Sequence, residues 1–425
     1  MLKAINASEK EQLKEYLLGR SEDISSDIIL KVTDILNDVK LNKDEAVKKY
    51  TEKFDGVKLE TIRVSDEDVE KAADKADPFF VKSMIEAKEN IEFFHKAQKQ
   101  NGYLLEKEMG IYLGQRVIPL DSVGIYVPGG RAQYPSSVLM NVIPAKIAGV
   151  KKIVMITPPS KERTLHPNIA AAAKIAGVTD IYTVGGAQGI AALAYGTESI
   201  SKVDKIVGPG NIFVATAKKL VYGTVDIDMI AGPSEILVIA DEGAEPSYVA
   251  ADLLSQAEHD PMASPILVAT SEELIKKVNL ELERQTALLP KKEIIDQSIR
   301  DYGTSILCED MDECVNVANM IAPEHLELMV KDPMTLLGKV KHAGSVFLGY
   351  YSCESIGDYY GGTNHVLPTS GTARFSSALG VDSFVKRSSF LHYTKEAVEA
   401  YGDRIIKIAQ EEQLDAHAGA VKVRL

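Results

Sequence analysis

From residue 111 onward, short β-rich runs alternate with helical stretches, and this alternation constrains the fold more than any other feature of the sequence. Each run ends in a glycine or proline turn before the next helical pattern begins. The runs of the first series lie at 122–127, 151–157, 180–184, 204–207 and 235–240. Because a strand, a helix and another strand in this order form a parallel βαβ unit, the chain is predicted to be an α/β protein with parallel sheets.

A second series of the same kind follows the first. Its strands are predicted at 265–270, 304–308, 326–330 and 344–348, and its helices at 246–258, 272–288 and 311–320. Two α/β halves are therefore fused in one chain. We expect two Rossmann-like domains, each an incomplete doubly wound sheet, with small helical extensions at the N- and C-terminal ends.

Changes in sequence pattern give the expected domain boundaries. Residues 1–110 carry apolar side chains at three- and four-residue spacing in the segments 8–19, 26–39, 44–54 and 66–100, which predicts a helical N-terminal region that partly completes the second α/β domain. Residues 111–233 are expected to form the first domain, and residues 234–375 the second. The tail at 376–425 is predicted to be helical, with an amphipathic stretch at 394–414.

Charge and composition exclude some classes of partner. The chain has 48 Lys and Arg against 61 Asp and Glu and no basic stripe, which argues against nucleic acid as a partner. It lacks a run of about 18 apolar residues and the apolar core of a signal peptide, so no membrane span is expected. Cys308, Cys314 and Cys353 match no zinc or redox spacing, and as reduced thiols they favour a cytoplasmic protein.

Three glycine turns end predicted strands of the first half. They are Val-Pro-Gly-Gly at 127–130, Val-Gly-Gly-Ala-Gln at 184–188 and Gly-Pro-Gly-Asn at 208–211. None is a G-x-G-x-x-G fingerprint, and tight turns without a ligand are one interpretation. The other is a ligand crevice, because two turns end in an amide, Gln188 or Asn211, and strand carboxyl ends bind ligands in open sheets. Tyr126, before the first turn, could stack on an aromatic ring.

The run at 252–260, Asp-Leu-Leu-Ser-Gln-Ala-Glu-His-Asp, places Gln256 and His259 three residues apart on a predicted helix. Side chains at this spacing leave the same face, so they form either half of a metal site or a solvated polar face. A strand ending in Ala-Gly-Pro-Ser exposes Ser234 at a turn. Because no G-x-S-x-G elbow surrounds it, hydrogen bonding to a substrate fits Ser234 better than nucleophilic attack.

Glu324 and His325, in Ala-Pro-Glu-His-Leu-Glu, are the kind of pair that proton transfer uses, although a surface turn is the simpler interpretation. The pair belongs to neither H-E-x-x-H nor H-x-x-E-H, which excludes a zinc-protease motif. Residues 348–368 are rich in glycine, tyrosine and polar groups, and long irregular loops are usually functional. Asp358 and His365 are the titratable candidates within this loop.

Taken together, the ordered motifs resemble the histidinol dehydrogenase family. They are the 252–260 run, Ile-Ala-Gly-Pro-Ser-Glu, Ala-Pro-Glu-His-Leu-Glu, Gly-Asp-Tyr-Tyr-Gly-Gly-Thr-Asn-His-Val-Leu-Pro-Thr and a late Leu-Asp-Ala-His. The resemblance extends from about residue 110 to about residue 420. It implies a cytoplasmic homodimer with one Zn²⁺ per subunit. Such an enzyme oxidises L-histidinol to L-histidine through L-histidinaldehyde with two NAD, in the last steps of histidine biosynthesis.

The resemblance also implies roles for individual residues of this sequence. The zinc ligands would be Gln256, His259, Asp358 and, from the tail of the partner subunit, His417. His325 would be the general base for the alcohol, and Glu324 would activate the water that hydrates the aldehyde. The residues in contact with substrate would be Ser234, Gln256, His259, His325, Asp358, Glu412 and His417. Those in contact with NAD would be Tyr126, Gln188 and Asn211.

Three other functions remain to be separated from this one by experiment. A related zinc- and NAD-dependent dehydrogenase would act on another small polyol or a sulfonated alcohol, although Glu412 and His417 suit a cationic imidazole-bearing substrate. A zinc hydrolase would work without NAD and would leave the amide-bearing glycine turns without a purpose. An inactive binding protein would not need Glu324 and His325.

Overall fold

Two parallel β-sheets organise the computed structural model, which describes residues 1–18, 24–129, 133–161 and 164–425. The N-terminal part consists of β1 (Lys3–Asn6), α1 (Lys10–Leu18), α2 (Ser26–Asp55), α3 (Asp66–Ala73), α4 (Pro78–Lys96), β2 (Tyr103–Glu108) and β3 (Ile111–Pro119). The first α/β unit consists of β4 (Ser122–Tyr126), α5 (Pro135–Ala148), β5 (Lys152–Thr157), α6 (Pro167–Ala176), β6 (Asp180–Thr183), α7 (Gly186–Tyr195), β7 (Lys205–Val207), α8 (Ile212–Val221) and β8 (Asp226–Ile227).

The second α/β unit and the C-terminal segment complete the chain. The second unit consists of β9 (Glu235–Ala240), α9 (Pro246–Ala257), β10 (Ser264–Ala269), α10 (Glu272–Thr286), α11 (Lys292–Asp301), β11 (Thr304–Leu307), α12 (Met311–Ile321), β12 (His325–Met329), α13 (Pro333–Leu337), β13 (Ser345–Leu348) and α14 (Glu354–Tyr359). The C-terminal segment consists of β14 (Val385–Tyr393), α15 (Lys395–Glu411) and α16 (Asp415–Lys422).

Both sheets have the strand order of a doubly wound fold. The first is β6-β5-β4-β7-β8, and the second is β11-β10-β9-β12-β13 with β1 added beside β11. All neighbours in these two sheets run parallel. Every residue of β9 and β10 is buried, because helices cover both faces of a parallel sheet. The predicted α/β fold class is confirmed.

The two faces of the first sheet pack against different helices. Val123 and Ile125 of β4 belong to the apolar core formed with α5 and α6. Tyr126, the next residue along, belongs to the core formed with α2, α7 and α8. This division follows from the alternation of side chains along a strand. The irregular segment predicted at 348–368 contacts the face of the sheet that α5 covers.

The N-terminal region is divided between the two units. β1 pairs with β11 of the second sheet, whereas α2, α3 and α4 contribute to the cores around the first sheet. α2 is broken at Lys43, whose backbone has φ 50°, and this break lies between the two helical segments that the sequence pattern predicts at 26–39 and 44–54. Residue 19, at the end of the predicted helix 8–19, lies outside the described residues.

A three-stranded antiparallel sheet in the order β14-β3-β2 was not expected from the sequence. The tail from residue 376 was predicted to be helical, but its first long element is the strand β14, which follows a single 3₁₀ turn at Val381–Phe384, and α-helix begins only with α15. The sequence of β14 does not alternate between apolar and polar residues, so no pattern marks it as a strand. This agrees with its exposure, since seven of its nine residues are exposed. Pairing along the whole of β3 determines its conformation instead.

Within the described ranges, no helix combines the length and the apolar character needed to cross a membrane.

Candidate active site

The starts of two neighbouring strands bring Glu324 and His325 into the core of the second unit. β9 begins at Glu235 and β12 begins at His325, which lies beside Ile236 in the parallel pairing. Ser234 directly precedes β9 and is half-buried. The group therefore lies at the amino edge of its sheet, whereas ligands in open α/β sheets commonly bind at the carboxyl edge.

The main chain and side chain of Glu235 orient this pair. The N–H of Glu235 donates to Oε2 of Glu324 at 2.9 Å, and the N–H of Glu324 donates to Oε2 of Glu235 at 3.3 Å. Nδ1 of His325 lies 3.0 Å from the carbonyl oxygen of Glu235. Because a carbonyl oxygen only accepts, Nδ1 carries a hydrogen, and Nε2 is the ring nitrogen available for proton transfer.

Nε2 of His325 faces the carboxylate of Asp358, which lies not in an irregular loop but on α14, the short helix inside the segment 348–368. It lies 3.4 Å from Oδ1 of Asp358, without the alignment of a hydrogen bond, and has no other hydrogen-bond partner among the described residues. Burial alone lowers the pKa of His325, but the charges of Glu324 and Asp358 outweigh it and raise the pKa. Burial raises the pKa of Glu324 to about 8. The pKa of Asp358 is lowered, since attraction to His325 outweighs its burial.

Gln256 and His259 lie beside this segment, but they do not share a helix. α9 ends at Ala257, and His259 lies in the following turn, where its N–H donates to the carbonyl oxygen of Gln256 at 3.1 Å. The helix cannot continue, because Asp260 precedes a proline and such residues disfavour helical geometry. Gln256 is buried and His259 is exposed. Although the residue as a whole is exposed, the surrounding protein desolvates the His259 ring and lowers its pKa, against the charge of Asp358, which raises it.

Three carboxylates near Gln256, the buried Glu327 and Glu354 and the half-buried Asp252, were not singled out in the sequence. The N–H of Glu354 donates to Oε1 of Glu327 at 2.8 Å, and the carboxylate of Glu354 hydrogen-bonds to Ser255 and Gln256. Burial raises the pKa of Glu354 to about 7 and that of Asp252 to about 6, and it raises the pKa of Glu327 as well. Glu327 could have been noticed in the sequence, because it is an acidic residue in a strand, β12, that is otherwise apolar after its first residue.

His365 joins the segment 348–368 to the first α/β unit. Its Nδ1 lies 2.9 Å from the carbonyl oxygen of Asp358, and its Nε2 lies 3.2 Å from Oγ of Ser137 in α5. The neighbouring Asn364 donates from Nδ2 to the carbonyl oxygen of Met140 at 2.7 Å, also in α5. The candidate active site is therefore fixed to the α5 face of the first sheet.

The expected cofactor residues lie at the carboxyl edge of the first sheet. Tyr126 ends β4, and its hydroxyl accepts from the N–H of Gly186 at 3.4 Å. Gln188 lies in the first turn of α7 with 1% of its surface exposed, and its Oε1 has no hydrogen-bond partner among the described residues. Asn211 is the N-cap of α8, where its side chain accepts from the N–H groups of Phe213 and Val214. Residue 130, in the first glycine turn, lies outside the described residues.

A buried ion pair supports the third of these turns. Nζ of Lys218 donates to the carbonyl oxygen of Gly208 at 2.9 Å and pairs with the carboxylate of Asp228, which also accepts from the N–H of Gly208 at 2.7 Å. Gly208 has φ 111°, and a Cβ there would lie 2.1 Å from the carbonyl oxygen of Tyr126. Glycine and the ion pair are thus both needed where the turn approaches Tyr126.

Lys218→Met is therefore expected to lower the free energy of unfolding by roughly 3–5 kcal/mol, because it leaves the buried charge of Asp228 without a partner. Urea titration followed by circular dichroism measures the change. Lys219→Met is the matched control, since Lys219 is exposed on the same helix and should change stability by less than about 0.5 kcal/mol. Equal midpoints for the two variants would show that the ion pair does not stabilise the turn.

Comparison with known proteins identifies the family. The family model described as "Histidinol dehydrogenase" matches residues 18–425. The chain belongs to the histidinol dehydrogenase family. It is 53% identical over 423 residues to the histidinol dehydrogenase of Listeria innocua, covering 100% of this chain and 99% of that protein. The histidinol dehydrogenase of Clostridium acetobutylicum is 55% identical over 414 residues, covering 97% of this chain and 96% of that protein.

A solved structure of the histidinol dehydrogenase family has the same fold. The crystal structure of histidinol dehydrogenase from Elizabethkingia anophelis superimposes with a TM-score of 0.95 at 40% identity, covering 100% of this chain and 98% of that chain. The suspected family resemblance is confirmed by these matches.

The single chain brings together only part of the site that the histidinol dehydrogenase motifs imply. Gln256, His259 and Asp358 lie around His325, whereas Glu412 and His417 are exposed at the end of α15 and in α16. Across the described residues, no three His, Cys, Asp or Glu side chains form a metal-binding group. The ligand set that the motifs imply has two such residues within one chain, His259 and Asp358, together with the amide of Gln256.

Proposed function

We propose that this chain is a zinc-dependent histidinol dehydrogenase. It oxidises L-histidinol to L-histidine through L-histidinaldehyde with two NAD, in the last steps of histidine biosynthesis. The observation that carries the proposal is the buried imidazole of His325, held through Nδ1 on the carbonyl oxygen of Glu235, with Glu324 on the Nδ1 side of the ring and Nε2 facing Asp358. This arrangement provides a base for an alcohol proton and a second carboxylate for water activation.

The donor set around His325 fits a bound zinc ion. Gln256, His259 and Asp358 offer an amide oxygen, an imidazole nitrogen and a carboxylate, and His417 of the partner subunit would supply a second imidazole. Zinc accepts oxygen and nitrogen ligands of these kinds, and catalytic sites keep positions open for substrate. The metal would hold the imidazole and amine of histidinol in place and so contribute orientation.

In the first oxidation, His325 removes the hydroxyl proton of histidinol through Nε2 as hydride leaves the carbinol carbon. A bound NAD would supply the hydride acceptor at this site. A base must start neutral, and Asp358 favours the charged imidazole in this structure. With its carboxylate bound to zinc, Asp358 would favour that charge less, and the pKa of His325 would move toward its ordinary value.

In the second oxidation, the aldehyde must first take up water. Hydride leaves from the C–H bond of an sp³ carbon that bears a hydroxyl group, and only the hydrated aldehyde has such a carbon. Glu324 lies 3.6 Å from the His325 ring and is suited to take the proton from that water. Burial brings the pKa of Glu324 close to neutral, where a carboxylate is a stronger base than at its ordinary pKa. Ser234 and Glu412 would contact the substrate, with Glu412 opposite its ammonium group.

The NAD crevice and the subunit contact are parts of the same proposal. Tyr126, Gln188 and Asn211 line the carboxyl edge of the first sheet, and Oε1 of Gln188, which has no hydrogen-bond partner within the described part of the chain, could accept from a ligand. The homodimer is supported by exposed apolar side chains on the antiparallel sheet and α15: Leu104 is 61%, Leu105 57%, Leu391 70% and Ile408 63% exposed. The three unpaired cysteines suit the reducing cytoplasm.

The proposal predicts NADH formation with histidinol and none with simple diols, at equal concentrations of zinc-loaded enzyme and NAD. Removing zinc with a chelator should abolish NADH formation, and adding zinc should restore it. NADH formation with a diol or a sulfonated alcohol but not with histidinol would favour the related dehydrogenase. Product formation in the absence of NAD would favour a hydrolase instead.

A further inference from the structure

Asp55, the last residue of α2, carries a buried oxygen that neither the fold nor the proposed chemistry uses. Its Oδ2 is buried and has no hydrogen-bond partner among the described residues. Burial raises the pKa of Asp55 to about 6. A buried carboxylate without donors costs stability, so its presence at this place calls for a function.

The direction of α2 places Asp55 at the edge where the cofactor residues lie. Nζ of Lys43, in the middle of α2, donates to the carbonyl oxygen of Gly196, which follows the last residue of α7. The hydroxyl of Ser199 donates to Asp44 at 2.5 Å. The C-terminal end of α2 lies near the start of α7, because Asp55 is close enough to Tyr126 for its charge to raise the pKa of that hydroxyl, and the same hydroxyl accepts from the N–H of Gly186.

A second unpartnered acceptor and a tyrosine lie in the same region. Gln188, in the first turn of α7, is 1% exposed and has an Oε1 without a hydrogen-bond partner among the described residues. The charge of Asp55 also acts on the buried hydroxyl of Tyr126, which accepts from the N–H of Gly186. Two buried oxygen atoms, Oδ2 of Asp55 and Oε1 of Gln188, therefore lack hydrogen-bond donors among the described residues. Neighbouring hydroxyl groups of a ligand would supply these donors.

The position of the cluster indicates which half of a dinucleotide it contacts. The segment 348–368 contacts the first unit through His365 and Asn364 on α5, which covers one face of the first sheet. Asp55 and Tyr126 belong with α2 and α7 on the opposite face. A dinucleotide with its nicotinamide at His325 therefore extends its adenosine half toward Asp55.

We propose that the carboxylate of Asp55 accepts hydrogen bonds from the hydroxyls of the adenosine ribose of NAD and discriminates against NADP. A carboxylate binds a ribose diol through two O–H donors and repels a 2′-phosphate, as acidic residues do in dinucleotide-binding folds. The inference rests on the proposed use of NAD and adds a specificity-determining residue from the N-terminal region.

The test compares Asp55→Asn with Glu52→Gln, which removes an exposed carboxylate one turn earlier on the same helix. Asp55→Asn is expected to raise the dissociation constant and the KM for NAD about tenfold or more, because a hydrogen bond to a charged group is lost. Its kcat at saturating NAD, its KM for histidinol and its zinc content should stay within about twofold of wild type. The preference for NAD over NADP should fall at least tenfold.

A substrate analogue tests the same contact in the unaltered enzyme. Calorimetry should show that NAD lacking the adenosine 2′-hydroxyl binds wild type about tenfold more weakly than NAD, and Asp55→Asn should lose this difference. Equal affinity of wild type for both compounds, or an Asp55→Asn variant that matches Glu52→Gln in NAD affinity, would overturn the inference. The proposed function would be overturned instead if histidinol failed to reduce NAD. The two failures can be distinguished, because calorimetry measures NAD binding without turnover.

Discussion

His325→Asn is expected to lower kcat for histidinol oxidation by about 10²–10⁴-fold, because general-base catalysis contributes that much when the base is correctly placed. Nε2 of His325 is the ring nitrogen left free once Nδ1 is bound to the carbonyl oxygen of Glu235. Asparagine can replace the hydrogen bond to the carbonyl oxygen of Glu235, but it cannot accept a proton at the position of Nε2. Steady-state kinetics and single-turnover NADH formation measure the loss, and the dissociation constant for histidinol should change little.

The matched control is His392→Asn, which removes an exposed histidine from β14 and should leave kcat unchanged. Glu324→Gln provides the contrast within the site. It should impair oxidation of L-histidinaldehyde much more than oxidation of L-histidinol, since only the aldehyde needs activated water. A His325→Asn variant with at least a tenth of wild-type kcat and full zinc content would show that another group removes the alcohol proton.

Two inactive variants are expected to restore each other if the site is shared between subunits. His259→Asn and His417→Asn should each lose zinc and nearly all activity, because each removes one proposed metal ligand. In a mixed dimer, one site carries both defects and the other carries neither. Random mixing makes half of the dimers mixed, so refolded or co-expressed mixtures should recover roughly a quarter of wild-type activity per subunit.

The control for that experiment mixes two variants whose altered residues are both proposed to serve the site of their own chain. His259→Asn with His325→Asn should recover nothing if both residues serve the site of their own chain, because every site in the mixed dimer then carries one defect. Zinc content should rise in the first mixture in parallel with activity. No recovery in the first mixture, despite proven mixed dimers, would place His417 outside the partner's site.

The sequence predicted most of what its local patterns determine. Strand and helix periodicity located the two α/β units, and the strand that begins at His325 is close to the run predicted at 326–330. The order of motifs identified the family. In contrast, β14 has no alternating pattern, and only its pairing with β3 makes it a strand.

The remaining parts of the site depend on contacts between distant segments. The carbonyl oxygen of Glu235 orients His325, but no sequence motif can show which main-chain atom a ring will meet. Gln256 and His259 were predicted to share a helix, but α9 ends between them because of the proline at 261. The role proposed for Asp55 could not be predicted, because it depends on the contact between α2 and α7, which is far away along the chain.

The number of NADH molecules formed per histidinol consumed tests the central claim most directly. The assay uses limiting histidinol, excess NAD and zinc-loaded enzyme, with L-histidine quantified at the end. We expect two NADH and one L-histidine per histidinol, because Glu324 and His325 allow the aldehyde to be hydrated and oxidised at the same site. One NADH per histidinol, with the aldehyde as the final product, would contradict the four-electron reaction.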